Sequence, residues 1–116
     1  GLWDEVKDRL NRLAASFSGG QQQRMCLART LALEPDILLL DEPTASLDRK
    51  SAELIEEHLD RLKDRIPVIM VSHSLAQARK LGARFKILSD GRIINELERD
   101  ELPRGEAAEA FLEELL

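Results

Sequence analysis

Hydrophobic positions along this chain follow two different periods. Leu2, Val6, Leu10 and Leu13 recur at helical spacing with charged residues between them, which predicts a short amphipathic helix over residues 2–13. Residues 14–20 are mostly small and read as a connector. Residues 21–33 return to the helical pattern, with Met25, Ala28, Leu31 and Ala32 on one side. Glu34-Pro35 stops that helix, because proline clashes with a continuing turn. The period then changes. Residues 37–40 (Ile-Leu-Leu-Leu) are apolar without interruption between Asp36 and Asp41, the pattern of a strand buried on both faces, as in parallel sheets.

Asp48 or Ser51 is placed to cap the next helix, which carries Leu54, Ile55, Leu59 and Leu62 on its inner face. Pro67 introduces a second buried strand over residues 68–71, and residues 74–81 form a brief helix stopped by Gly82. Residues 85–88 and 92–97 read as a hairpin about Asp90-Gly91, and residues 106–116 as a terminal helix. Strands separated by helices predict an α/β fold with a parallel sheet. No stretch is long enough to serve as a linker between two globular domains.

Composition narrows the class without naming a function. The 116 residues are 43% hydrophobic and 34% charged, without repeats or low-complexity tracts, as expected of one globular domain. A formal charge of −5 gives no general reason to expect nucleic-acid binding, which needs a basic face. Cys26 is the only cysteine, so no internal disulfide forms, in keeping with a reducing compartment. The apolar runs fall short of the roughly 20 residues a bilayer span requires. Trp3-Asp4-Glu5 interrupts any apolar leader, and a start at Gly1 reads as a processed or excised piece.

Candidate chemistry lies at the element ends. Residues 37–40 deliver Asp41 and Glu42 to the carboxyl edge of the sheet, where open α/β sheets place ligands. Asp41 can hold a hard cation such as Mg2+, and Glu42 can orient or deprotonate an attacking water; equally, the pair can simply end a strand before Pro43. Ser18-Gly19-Gly20 precedes a helix whose unpaired N–H groups and dipole favour an anion, and glycine lets a phosphate approach. The plainer reading is a serine cap with a glycine hinge. His73 follows the second strand and can donate to a phosphate oxygen or serve as a structural hydrogen-bonder. His58 lies mid-helix among glutamates, and Cys26 reads as a small buried hydrophobe. Ser72 and Ser74 flank His73 on the chain, which is no indication of a nucleophile–base pair.

Taken in order, FSGGQQQR, ILLLDE, TASLD and VSHS resemble the second half of an ATP-binding cassette (ABC) ATPase. The resemblance implies a partial P-loop NTPase-type α/β core, with parallel strands flanked by helices and a C-terminal hairpin and helix. It divides the chain into residues 1–33, the end of a helical subdomain, and residues 34–116, the C-terminal part of the ATPase core. Residues 17–21 match the signature motif, residues 37–42 the Walker B strand with its catalytic glutamate, residues 45–48 the D-loop and His73 the switch histidine. By the same resemblance Ser18, Gly19, Gly20 and Gln21 cover the γ-phosphate of ATP held by a second, head-to-tail subunit. Asp41 places Mg2+, Glu42 activates water, His73 contacts the γ-phosphate, and Asp48, in the D-loop with Ser46 and Leu47, relays between the two sites. LWDEVKDRL with SGGQQQR is similar to the ATPase subunits of bacterial phosphate importers; beyond Asp48 only the broader family is resembled.

The resemblance further implies permease partners, no nucleic acid, and a cytoplasmic location on the inner face of the membrane. The family's phosphate loop, G-x-x-x-x-G-K-[ST], is absent, since no glycine here precedes a lysine. The chain alone is therefore expected not to hydrolyse ATP, and to cover its apolar strands by oligomerising, swapping elements or rearranging. The rival reading is a non-catalytic interaction module. DNA-repair and chromosome-organising ATPases share these motifs but join them to long coiled coils, and no such heptad run occurs here.

Overall fold

The computed structural model describes residues 1–103 together with Ala107, Ala110, Phe111 and Glu114. They fall into two compact units, Gly1–Val71 and Ser72–Leu116, with no linker where the chain passes from Val71 to Ser72. The sequence reading found no linker long enough to separate two globular domains, and by resemblance divided the chain after residue 33. A linker is one mark of a division, but contacts that stay within each stretch produce one as well, and they leave no local signal.

The first unit opens with α1, Leu2–Val6, and a single 3-10 turn, Lys7–Arg9. This is shorter than the helix expected over residues 2–13. Val6 is buried, whereas Leu10 and Leu13 are exposed, so the apolar stripe has nothing to pack on beyond its first turn. Charge anchors α1 instead. Arg24, 8% exposed, sends Nη1 to Glu5 Oε1 at 2.8 Å and Nη2 to Glu5 Oε2 at 2.9 Å, and Gln21 Nε2 donates to the same Oε2 at 3.0 Å. The chain then turns back so that the Arg9 guanidinium lies 5.0 Å from the centroid of the buried Phe17 ring.

Helix α2 runs Gly19–Leu31, two residues earlier at each end than expected. Ser18 is its cap, and the left-handed Glu34, with φ of 50°, turns the chain out past the helix end. Strands β1, Leu38–Asp41, and β2, Val68–Val71, pair in parallel, Leu38 opposite Val68 and Asp41 opposite Val71. A parallel pair needs a crossover, and α3, Arg49–Leu62, supplies it. Leu38, Ile55 and Leu59 are almost fully buried and line a common cleft with Leu27 and Cys26 of α2.

Two expectations are corrected here. Strand residues were read as buried on both faces, but Leu39 is 68% exposed, Ile69 56% and Val71 54%, against 2% for Leu38. Alternate side chains point to opposite faces, and only the face carrying Leu38 is closed. Cys26, expected to be buried, is exposed at the helix surface.

The second unit holds α4, Leu75–Leu81, and a hairpin of β3, Arg84–Ser89, with β4, Arg92–Glu98. Asp90 and Gly91 both have positive φ, 48° and 74°, the primed turn that matches strand twist. A register shift follows Ile87, and the cross-strand ion pairs Arg84–Glu98 and Lys86–Glu96 lie on the exposed face. Gln77, Leu81, Leu97 and Leu102 are buried. The terminal helix expected over residues 106–116 lies largely outside the described residues; Ala107, Ala110, Phe111 and Glu114 are helical.

The Arg24 guanidinium, and after it the Gln21 amide, hold the Glu5 carboxyl down, from an ordinary 4.5 to about 2. A carboxylate depressed on folding contributes stability that is complete above its unfolded pKa and disappears as pH falls through the folded one. Glu5→Gln is therefore expected to lower the urea midpoint near neutral pH, with the difference from wild type closing between pH 4.5 and about 2. A difference that is constant with pH would show that the ion pair does not hold α1.

Candidate functional site

The first unit brings together the amino end of α2, the carboxyl end of β1 and the turn that enters α3. At α2, Ser18 Oγ accepts the Gln21 N–H at 3.2 Å, while Gln21 Oε1 accepts the Ser18 N–H at 3.1 Å. This reciprocal capping box is why the helix starts at Gly19. The paired glycines are thus the first helical residues and not the loop expected over residues 14–20.

The two glycines do different things. A Cβ on Gly19 would meet only the Leu47 Cδ2 at 3.6 Å, an ordinary contact. A Cβ on Gly20 would lie 2.4 Å from Ser51 Oγ and 2.6 Å from Ser51 Cβ. The missing side chain at Gly20 lets α2 seat against the first turn of α3, and this sets two helix N-termini side by side. They are capped differently. Asp48 Oδ1 accepts the Ser51 N–H at 3.1 Å, so α3 begins with its own carboxylate, held below the usual range by hydrogen bonds from Ser51. Helix α2 begins with a neutral hydroxyl. Its positive end is not cancelled by a carboxylate cap and favours an external anion.

The acidic turn is tied to the same helix. Asp41 ends β1 with its side chain exposed, and Glu42, half-buried, follows with φ of 44°. A left-handed non-glycine costs about 1–3 kcal/mol and persists only where its surroundings impose it. Two hydrogen bonds do so: Glu42 N–H to Val71 O at 3.0 Å, and Gln23 Nε2 to Pro43 O at 3.0 Å. Successive turns, Ala45 N–H to Glu42 O and Leu47 N–H to Thr44 O, then carry Ser46, Leu47 and Asp48 to α3.

Of the residues singled out by sequence, Ser18, Gly19, Gly20, Gln21, Asp41, Glu42, Ser46, Leu47 and Asp48 all lie in the first unit. His73 is exposed and lies in the second, two residues past β2, where Ser72 Oγ donates to Gln77 Oε1 and Ser74 caps α4. Sequence reasoning missed Glu5, Gln22, Gln23 and Arg24, and read Ser51 only as an alternative to Asp48 for the α3 cap, where it is the donor instead. Gln22 Nε2 donates to Phe17 O at 2.8 Å, so every polar side chain of the QQQR run is engaged. The run itself was a signal, because three adjacent amides at a helix start point in three directions.

Among the described residues no cluster of three or more His, Cys, Asp or Glu side chains could hold a metal. Asp41 and Glu42 alone suit a hard cation that takes its other ligands from phosphate and water. Among the same residues no helix is long and apolar enough to cross a membrane.

The sequence profile of the ABC transporter family matches residues 1–45. The chain is 54% identical over 96 residues to a phosphate import ATP-binding protein, PstB 2, of Mycobacterium tuberculosis (strain CDC 1551 / Oshkosh), covering 83% of this chain and 35% of that protein. It is 46% identical over 114 residues to the phosphate import ATP-binding protein PstB of Borreliella afzelii (strain PKo), covering 96% and 44%. The chain therefore spans between a third and a half of these relatives. Among solved structures it resembles a dimeric ATP-binding cassette in a post-hydrolysis state bound to ADP and Pi, with a TM-score of 0.64 and 41% identity over 78% of this chain and 38% of that one. It also resembles an ABC transporter ATP-binding subunit, with a TM-score of 0.79 and 25% identity over 98% and 51%.

Gly20→Ala is expected to destabilise the chain by about 1–3 kcal/mol through overpacking on Ser51. In a double-mutant cycle read by urea unfolding, Ser51→Gly should recover part of that loss. Strictly additive effects would mean that the two helices do not meet at this pair.

Proposed function

Because this chain is part of an ABC transporter ATPase domain, with the α/β fold of ABC cassettes, we propose that it supplies half of the machinery that couples ATP binding and hydrolysis to solute import. The observation that carries the reading is the seating of α2 on α3 at Gly20 and Ser51, which sets a helix N-terminus with a neutral serine cap beside the D-loop turn. Ser18, Gly19, Gly20 and Gln21 form the signature surface that receives the phosphates of a nucleotide held by a second ATP-binding subunit. Asp41 offers a carboxylate to Mg2+, Glu42 takes a proton from the attacking water, and His73 donates to the γ-phosphate. ATP with Mg2+ supplies the phosphoryl bond whose hydrolysis drives the cycle. Ser46, Leu47 and Asp48, held between the Glu42 turn and the α3 cap, link this subunit's acidic turn to the signature surface.

In this reading residues 1–33 belong to the helical subdomain and residues 34–116 to the ATPase core. The second ATP-binding subunit and the membrane permeases are partners, nucleic acid is not, and the location is the cytoplasmic face of the membrane. Phosphate is the solute that the names of the relatives favour. The exposed Leu39, Ile69 and Val71 support a second reading, in which the chain acts as a non-catalytic module that docks through this bare face.

A chimera decides between them. Placed in the matching stretch of the Borreliella afzelii relative, the chain should sustain Mg2+-dependent ATP hydrolysis, and Glu42→Gln should reduce kcat by about 100- to 10,000-fold, the range for loss of a general base. Hydrolysis indifferent to Glu42→Gln overturns the catalytic assignment. The chain by itself should show no turnover; turnover abolished by Glu42→Gln would show that it needs no phosphate loop. It should also self-associate in light scattering, and Leu39→Lys with Ile69→Lys should shift it to monomer. A wild-type chain that is monomeric throughout counts against exposure of that face.

A further inference from the structure

Gln23 stands apart from the residues assigned above. It neither caps a helix nor belongs to the signature surface, and its side chain crosses from α2 to the acidic turn, where Nε2 donates to Pro43 O at 3.0 Å. Pro43 is buried and immediately follows Glu42, the residue forced to a φ of 44°. The turn is pinned from the other side by the Glu42 N–H to Val71 O bond of the parallel sheet. The sheet therefore holds the backbone just before the strained Glu42, and helix α2 holds it one residue after. Proline adds to the strain, because its ring favours an extended conformation for the residue before it and Glu42 is held left-handed. One helical turn earlier the same helix presents Ser18 and Gly19, and Arg24 ties it to Glu5 on α1.

We propose that Gln23 is a positioning residue for Glu42: its amide clamps the Pro43 carbonyl, so that a shift of α2 at the signature surface is transmitted to the glutamate that handles water. The proposal deepens the ATPase reading and rests on it for the role of Glu42. The clamp itself rests on the fold alone. Gln23 touches neither nucleotide nor water in this scheme; it acts through the backbone of the turn.

The clamp is tested first in the isolated chain by hydrogen–deuterium exchange. Gln23→Glu keeps the side-chain size but offers only acceptors to a carbonyl, whereas Gln23→Lys restores a donor. Gln23→Glu should speed exchange at the Ala45 and Leu47 amides, which close the two turns after Glu42, by about tenfold, the factor expected for one lost hydrogen bond. The Lys63 amide at the far end of α3 should be unaffected, and Gln23→Lys should return the turn amides toward wild type. Unchanged exchange at Ala45 and Leu47 overturns the clamp.

In the chimera, Gln23→Glu should lower kcat while leaving KM for ATP unchanged, and Gln23→Lys should restore kcat. A raised KM with kcat intact would assign Gln23 to nucleotide binding and overturn the positioning role. If the chimera responds to neither Glu42→Gln nor Gln23→Glu, while the turn amides still exchange faster in Gln23→Glu, the ATPase reading fails and the clamp stands.

Discussion

The close approach of α2 to α3 at Gly20 governs the arrangement of the first unit. Interiors are packed densely enough that a single methyl is felt, and here there is no room for one beside Ser51. With the two helices seated this closely, the amino end of α2 comes against Leu47, and the amide of Gln23 reaches the Pro43 carbonyl. Residues 18–21, the acidic turn and residues 46–48 are thus packed together in one unit. A paired glycine that looked like a concession to a ligand is, at its second position, a concession to a neighbouring helix. The first position remains the open one.

Electrostatics then distinguishes two helix ends that geometry alone would treat alike. Asp48 neutralises the start of α3 with a carboxylate that belongs to the chain. Ser18 caps the start of α2 with a neutral hydroxyl, and the Glu5 carboxylate near its first turn is already paired with Arg24. A phosphate arriving at this corner would be repelled by the first and attracted by the second. At the other side of α2, Arg24 spends its charge on Glu5 and so takes no part in anion binding. The only strongly basic side chain in the signature run is structural, and the phosphate affinity proposed for this surface rests on backbone N–H groups and a hydroxyl.

The bare face of β1 and β2 follows from strand geometry. Leu38 closes one side while Leu39 and Ile69 stand on the other without cover. An uninterrupted apolar run encodes a demand for neighbours on both faces, and these residues satisfy it on one. The chain spans less than half of the phosphate import relatives it matches.

Several features were legible in the residues themselves. The parallel strands, the crossover helix, the Asp90-Gly91 turn and the Asp48 cap depend on local pattern or on a side chain within three or four positions, and for these the chain is its own context. The motifs in register identified the family for the same reason. What the sequence could not show was which surfaces meet. The anchoring of α1 depends on Glu5 finding Arg24, a partner 19 positions away; Gly20 meets Ser51; the Glu42 N–H donates to Val71 of β2, and Gln23 to the carbonyl of the next residue, Pro43. Hydrogen bonds and steric contacts between residues distant in sequence leave no periodicity to read, so only the tertiary structure decided them.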